Sequence, residues 1–159
     1  MIIDLKYRTE IDGLRALAII SVVIYHFFPH IMPSGFLGVD IFFVISGYLI
    51  TAHFISLQKN NKINSLRIFY SRRIKRLLPA LFIFFTITTL VITNIFLNSD
   101  INKYGSSLLA AKTFWSNFYF WRDGGYFGTS DQLKPLLHIW SLSVEEQFYI
   151  LYPTFILIS

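Results

Sequence analysis

From Leu77 to Ser99 the chain runs 23 residues without a formal charge. A helix of about 20 residues suffices to cross a hydrocarbon core about 30 Å thick, so this run is long enough to span a membrane. Few other features limit the possible folds as strongly. A water-soluble domain must turn one side of each helix to solvent, and this stretch has no charged residue with which to do so.

The rest of the sequence agrees with that constraint. Charged residues make up 14% of the chain and hydrophobic residues 54%, against about 25% charged in an ordinary soluble domain. Seventeen Phe, nine Tyr and three Trp suit a chain in contact with lipid, with Trp and Tyr available for the interfaces. The class is integral membrane.

Further apolar segments flank the first. Ala16 to Met32 contains no Asp, Glu, Lys or Arg. A cleaved signal peptide needs a small-residue site after its apolar core, whereas this core runs into Phe27-Phe28-Pro29-His30-Ile31-Met32-Pro33. It reads as an uncleaved first span. A turn at Pro33-Ser34-Gly35 leads into Phe36 to Ile55, interrupted by Asp40 and His53. Leu108 to Trp121 is shorter and holds Lys112, so it is either a weaker span or a helix tucked against the others. Pro135 to the end is apolar apart from Glu145 and Glu146. The expectation is an all-α polytopic membrane bundle with four or five transmembrane helices. The abrupt end in Leu157-Ile158-Ser159 leads us to expect that residues 1–159 form the N-terminal portion of one larger domain.

The net charge of +5 is unevenly placed. Seven of the fourteen basic residues lie between Lys59 and Arg76, with no acid among them. Basic residues between two apolar spans mark the cytoplasmic side, which also puts the N-terminus in the cytoplasm. A nucleic-acid partner is not expected, because a basic patch of that kind needs a soluble face. The chain has no cysteine, which excludes thiolate chemistry and disulfides within it.

Ionisable residues within spans are costly and therefore candidates for function. Arg15 and His26 are 11 residues apart, about 20° past three full helical turns, and so share one face about 16 Å apart along the axis. With Arg15 at the cytoplasmic interface, His26 reaches the middle of the membrane. An imidazole there can serve as a hydrogen-bonded structural group or as a general base. His30 lies four residues on, but Pro29 disturbs the turn and no carboxylate completes a metal motif, so no metal is expected. Arg73 and Arg76, three apart, point to one side of a helix and offer bidentate phosphate contacts. The bland alternative for the basic stretch is a topology signal facing anionic lipid. Glu145 and Glu146 point about 100° apart, so one of them faces any shared site, and spacing alone does not say which.

Five motifs in order resemble the acyltransferase-3 family of membrane acyltransferases. They are Arg8-Thr9-Glu10-Ile11-Asp12-Gly13-Leu14-Arg15-Ala16 leading to Tyr25-His26, Gly38 to Ile50, Phe69 to Pro79, Ser116 to Trp121, and His138 to Tyr149. The resemblance implies a domain of about ten spans, so further C-terminal spans would be partners of this segment. It implies an Arg-x10-His motif at Arg15 and His26, an Arg-x-x-Arg motif at Arg73 and Arg76, and a Ser-Leu-x-x-Glu-x-Gln-Phe-Tyr motif that selects Glu145 over Glu146. It further implies an inner-membrane enzyme that moves an acyl group, commonly acetyl, from cytoplasmic acyl-CoA to a carbohydrate hydroxyl. Acceptors of the lipopolysaccharide O-antigen, exopolysaccharide and peptidoglycan types all fit. In that frame His26 is the base, Arg15 binds the donor or steadies developing charge, Glu145 orients His26 or the acceptor, and Arg73 and Arg76 hold the donor. A covalent acyl-histidine relay and direct transfer stay open. The alternatives are a transporter and an inactive truncated fragment.

Overall fold

The computed structural model describes residues 8–57, 62–124 and 134–158. Every regular element among them is helical: α1 (Thr9–Phe27), a 3-10 turn (Gly35–Leu37), α2 (Gly38–Leu57), α3 (Lys62–Ile95), α4 (Asn98–Lys112), α5 (Ser116–Arg122) and α6 (Ile139–Ile158). They fall into two compact units, residues 1–65 and 66–159.

In the first unit, α1 begins well before the apolar segment. Glu10 and Asp12 occupy its opening turns, where carboxylates meet the positive end of the helix dipole. It ends at Phe27, two residues before Pro29, which has no N–H to extend it. The span expected at Ala16 to Met32 is therefore a helix shifted toward the N-terminus, and Phe28 to Met32 lie outside it. Two glycines bring the next segment onto α1. A Cβ on Gly35 would stand 2.3 Å from the Ser21 carbonyl oxygen, and one on Gly38 would stand 2.4 Å from that of Ala18. Any side chain at either position would push the segment off the helix. Ala18, Ser21, Val22 and Tyr25 form the stripe that receives them. Leu17, Ile20, Val23 and Phe27 are left exposed on α1.

From Lys62 the basic stretch and the long apolar run as far as Ile95 form one helix, most of it in the second unit, and Lys59 lies outside the described residues. The 34-residue α3 continues through Pro79. Leu81, Phe85 and Ile92 turn toward a core completed by Tyr104, Ala111, Phe120, Leu136, Leu137 and Ile139. On other sides of α3, Phe82, Ile83, Ile87, Leu90 and Val91 are exposed. The segment Leu108 to Trp121 is broken: α4 stops at Lys112 and α5 starts at Ser116. Between them Phe114 takes φ 53°, a left-handed conformation that a non-glycine residue adopts at a cost of about 1–3 kcal/mol. The Trp115 N–H closes the corner on the Ala110 carbonyl at 2.8 Å.

Gly35–Ala52 and Leu66–Ile95 are long and apolar enough to cross a membrane. α1 carries Glu10, Asp12 and Arg15 within its 19 residues, and the break at Phe114 divides what one helix would need. The molecule is thus a helical membrane protein in which two crossings stand on length and composition.

Candidate active-site residues

Each unit brings candidate residues together in a polar constellation. In the first, α1 holds both Arg15 and His26. The His26 Nδ1 lies 2.9 Å from the Val22 carbonyl oxygen. A carbonyl can only accept, so Nδ1 carries the proton, and in the neutral ring the lone pair lies on Nε2. Tyr25 packs edge-on to the imidazole with ring centroids 5.5 Å apart, and Tyr25 itself rests against Phe36. Ring orientation is thereby set from within the unit while the side chain stays exposed. Arg15 pairs loosely with Asp12, one turn back, at 3.4 Å. A half-buried i, i+3 pair at this long distance is worth roughly 0.3–0.5 kcal/mol, so the guanidinium can be recruited elsewhere at little cost.

Arg8 was not among the expected site residues. Its Nη1 donates to the Tyr48 hydroxyl at 2.8 Å, which joins the start of α1 to α2. No spacing rule relates positions 40 residues apart, so the contact had no signature along the chain.

The second constellation lies where α6 meets α3 and α5. Ser143 and Ser116 are fully buried and share a hydrogen bond of 2.7 Å. One turn along α6, the Gln147 amide donates to the Asn117 side-chain oxygen at 3.0 Å and to the Phe114 carbonyl at 2.7 Å. Asn117 donates back to Gln147 at 3.1 Å. The amide pair thus holds the strained corner between α4 and α5. This explains why glutamine is needed at that position: one side chain must both donate and accept.

Toward α3, Glu146 accepts a hydrogen bond from Arg73 Nη2 at 2.9 Å, and its side chain is only 12% exposed. The Arg73 guanidinium lies 3.3 Å from the centroid of the Tyr149 ring, a cation–π contact worth about 2 kcal/mol when desolvated. Tyr149 in turn donates its hydroxyl to Glu145. Pro153 sits inside α6 and cannot donate to the carbonyl four residues back, which is that of Tyr149. The Tyr70 hydroxyl takes that place, donating to the Tyr149 carbonyl at 3.0 Å. Spacing left the two glutamates undecided and the family motif selected Glu145; Glu146 is the carboxylate that meets Arg73. Tyr70 could have been suspected only by asking what satisfies the carbonyl that Pro153 frees.

Arg72, Lys75 and Arg76 are exposed on α3. Arg73 and Arg76 share a helix, as their spacing implied, but differ in state: Arg73 is engaged with α6, whereas Arg76 faces outward. Among the described residues there is no group of three or more His, Asp or Glu side chains able to hold a metal ion.

The acyltransferase-domain profile of the acyltransferase-3 family matches residues 8–159. The chain belongs to the acyltransferase-3 family. It is 41% identical over 155 residues to the peptidoglycan O-acetyltransferase OatA of Listeria monocytogenes serovar 1/2a, covering 96% of this chain and 25% of that protein. It is 42% identical over 149 residues to the O-acetyltransferase OatA of Staphylococcus aureus strain NCTC 8325 / PS 47, covering 93% of this chain and 24% of that protein. The chain therefore spans about a quarter of the length of these curated relatives. No solved structure matches it. All five motifs lie inside the matched region, and so do Arg15, His26, Arg73, Arg76 and Glu145.

Proposed function

We propose that this acyltransferase-3 segment serves an O-acetyltransferase of the cell envelope, with acetyl-CoA as donor and a glycan hydroxyl as acceptor. The observation that carries the reading is the His26 ring, whose Nδ1 is committed to the Val22 carbonyl, leaving Nε2 as the basic nitrogen on the helix that also bears Arg15. His26 Nε2 takes the acceptor hydroxyl's proton as its oxygen attacks the acyl carbonyl; the C–S bond then breaks, and the proton passes to the departing CoA thiol. Arg15 steadies negative charge that develops there. Glu145 orients the acceptor. The exposed cations Arg72, Lys75 and Arg76 present the charge that the phosphates of CoA require, and Arg76 is the leading phosphate contact. Acyl-CoA supplies a thioester-activated acyl group. Of the acceptors compatible with the family, a peptidoglycan-type glycan is favoured by the Listeria relative's name.

The proposed setting is the inner membrane, with a cytoplasmic N-terminus and four or five crossings in this segment. α1 and α6 would add to the two long apolar helices, once the charges at their ends and centres are satisfied by neighbouring helices.

The test is His26→Gln in the complete protein. Gln keeps a hydrogen-bonding group of similar volume but cannot take up a proton near neutral pH. Loss of a general base costs about a hundredfold or more in rate, so mass spectrometry of the wall glycan should show O-acetylation near background with the protein still in the membrane. Near-normal acetylation would remove His26 from the reaction.

A further inference from the structure

The Arg-x-x-Arg pair and the glutamate of α6 stand far apart in sequence, yet Tyr149 touches both. Its ring face receives the Arg73 guanidinium at 3.3 Å, and its hydroxyl donates to Glu145. Its carbonyl, freed by Pro153, accepts from Tyr70. On the far side of Arg73, Glu146 holds Nη2 at 2.9 Å. We propose that Arg73, Glu146 and Tyr149 form a positioning relay that fixes the Glu145 carboxylate, and that Arg73 is not a phosphate ligand.

The chemistry of the guanidinium argues for this division of labour. Arginine grips a phosphate by two parallel N–H bonds from neighbouring nitrogens. In Arg73, Nη2 is already on Glu146, and Nε is buried with no hydrogen-bond partner. With Nε buried out of a ligand's reach and Nη2 already bonded to Glu146, the Nε/Nη2 edge is closed to an incoming anion, and only the Nη1 side is left for one. Withdrawing Arg73 toward a ligand would strand Glu146, 12% exposed, as an uncompensated buried charge, which is strongly unfavourable. Arg76 bears no such obligation among the described residues and lies exposed on the same helix.

The relay also gives Tyr149 a role distinct from packing. A carboxylate on a rotatable side chain samples several rotamers, and a phenol held on both ring face and backbone selects one. Tyr70 and Arg73 hold Tyr149, and Tyr149 holds Glu145. That Glu145 acts in acyl transfer rests on the function proposed above; the relay itself does not.

The experiment separates the two. In the complete protein purified in detergent, Tyr149→Phe keeps the ring beneath Arg73 and the backbone carbonyl but removes the donor to Glu145. It should lower kcat for acetyl transfer severalfold while leaving KM for acetyl-CoA and the melting temperature close to wild type. Arg73→Gln and Glu146→Gln should each lower the melting temperature, and the double variant should lose no more than the larger single loss. Both should reduce kcat with KM for acetyl-CoA unchanged, whereas Arg76→Gln should raise that KM. A rise in acetyl-CoA KM for Arg73→Gln but not for Glu146→Gln would overturn the proposal by making Arg73 a ligand. Additive melting losses, or wild-type kcat in Tyr149→Phe, would overturn it equally. Should wild-type protein transfer no acetyl group from acetyl-CoA, the proposed function fails instead, and the melting cycle still decides the Arg73–Glu146 pair.

Discussion

At the scale of single residues, what distinguishes this chain is how its buried polar atoms find partners. Ser116 and Ser143 are both fully buried and bonded to each other. Removing one hydroxyl leaves the other without a partner, at about 1–3 kcal/mol, whereas removing both leaves nothing unsatisfied. Ser143→Ala should therefore lower the melting temperature of the purified protein, and Ser116→Ala added to it should restore most of the loss. A double variant less stable than either single one would mean that the hydroxyls do more than satisfy each other. The same logic accounts for Tyr70, whose hydroxyl serves the carbonyl released by Pro153. Proline inside a helix is normally a defect, and here a neighbouring helix repairs it.

At the scale of elements, backbone proximity sets the packing of the first unit. The Cβ that alanine would add at Gly38 falls 2.4 Å from a backbone oxygen, and a backbone atom cannot rotate away as the end of a side chain can. Gly38→Ala should destabilise by about 1–3 kcal/mol, the ordinary range for overpacking. Gly47 lies in α2 with nothing within 4 Å of its virtual Cβ. Gly47→Ala should stabilise by about 0.5–1 kcal/mol, because glycine loses more freedom than alanine on entering a helix. Thermal unfolding of the two variants, side by side, checks the pair. Equal responses would mean that the approach of the 3-10 turn to α1 does not set the packing. In the second unit, the corner at Phe114 plays the corresponding part. Its left-handed backbone is held by Gln147, so an apparent apolar span folds as two short helices.

At the scale of the whole molecule, the testable quantity is topology. The chain has no cysteine, so single cysteines can be introduced against an empty background. With the N-terminus in the cytoplasm, Ser34→Cys should label from outside the membrane and Asn61→Cys from the cytoplasm, using an impermeant maleimide on intact cells and on inverted vesicles. Labelling of both from one side would reject the proposed orientation. Exposed apolar side chains on α1 and α3 are consistent with the membrane class, since lipid accepts such faces without the cost that water imposes.

Much of this architecture was legible along the chain because it depends on local periodicity. The 23 charge-free residues from Leu77 required a helix, and the 11-residue interval put Arg15 and His26 on one. The prolines at 29, 79 and 153 were visible as well, but only Pro29 ended a helix. Helix ends depend on capping and on neighbours, so α1 began earlier than the apolar run and α3 already included the basic residues from Lys62 to Arg76. The choice between Glu145 and Glu146 had no local answer, because adjacent carboxylates differ only in direction. Tertiary structure sent Glu146 to Arg73 and Glu145 to Tyr149. Composition and periodicity determined that this protein is a helical membrane chain with titratable groups on chosen faces. Which of those groups meet, and which stay exposed, was decided by contacts between residues dozens of positions apart, because pairing energies depend on distance in space and on burial rather than on order along the chain.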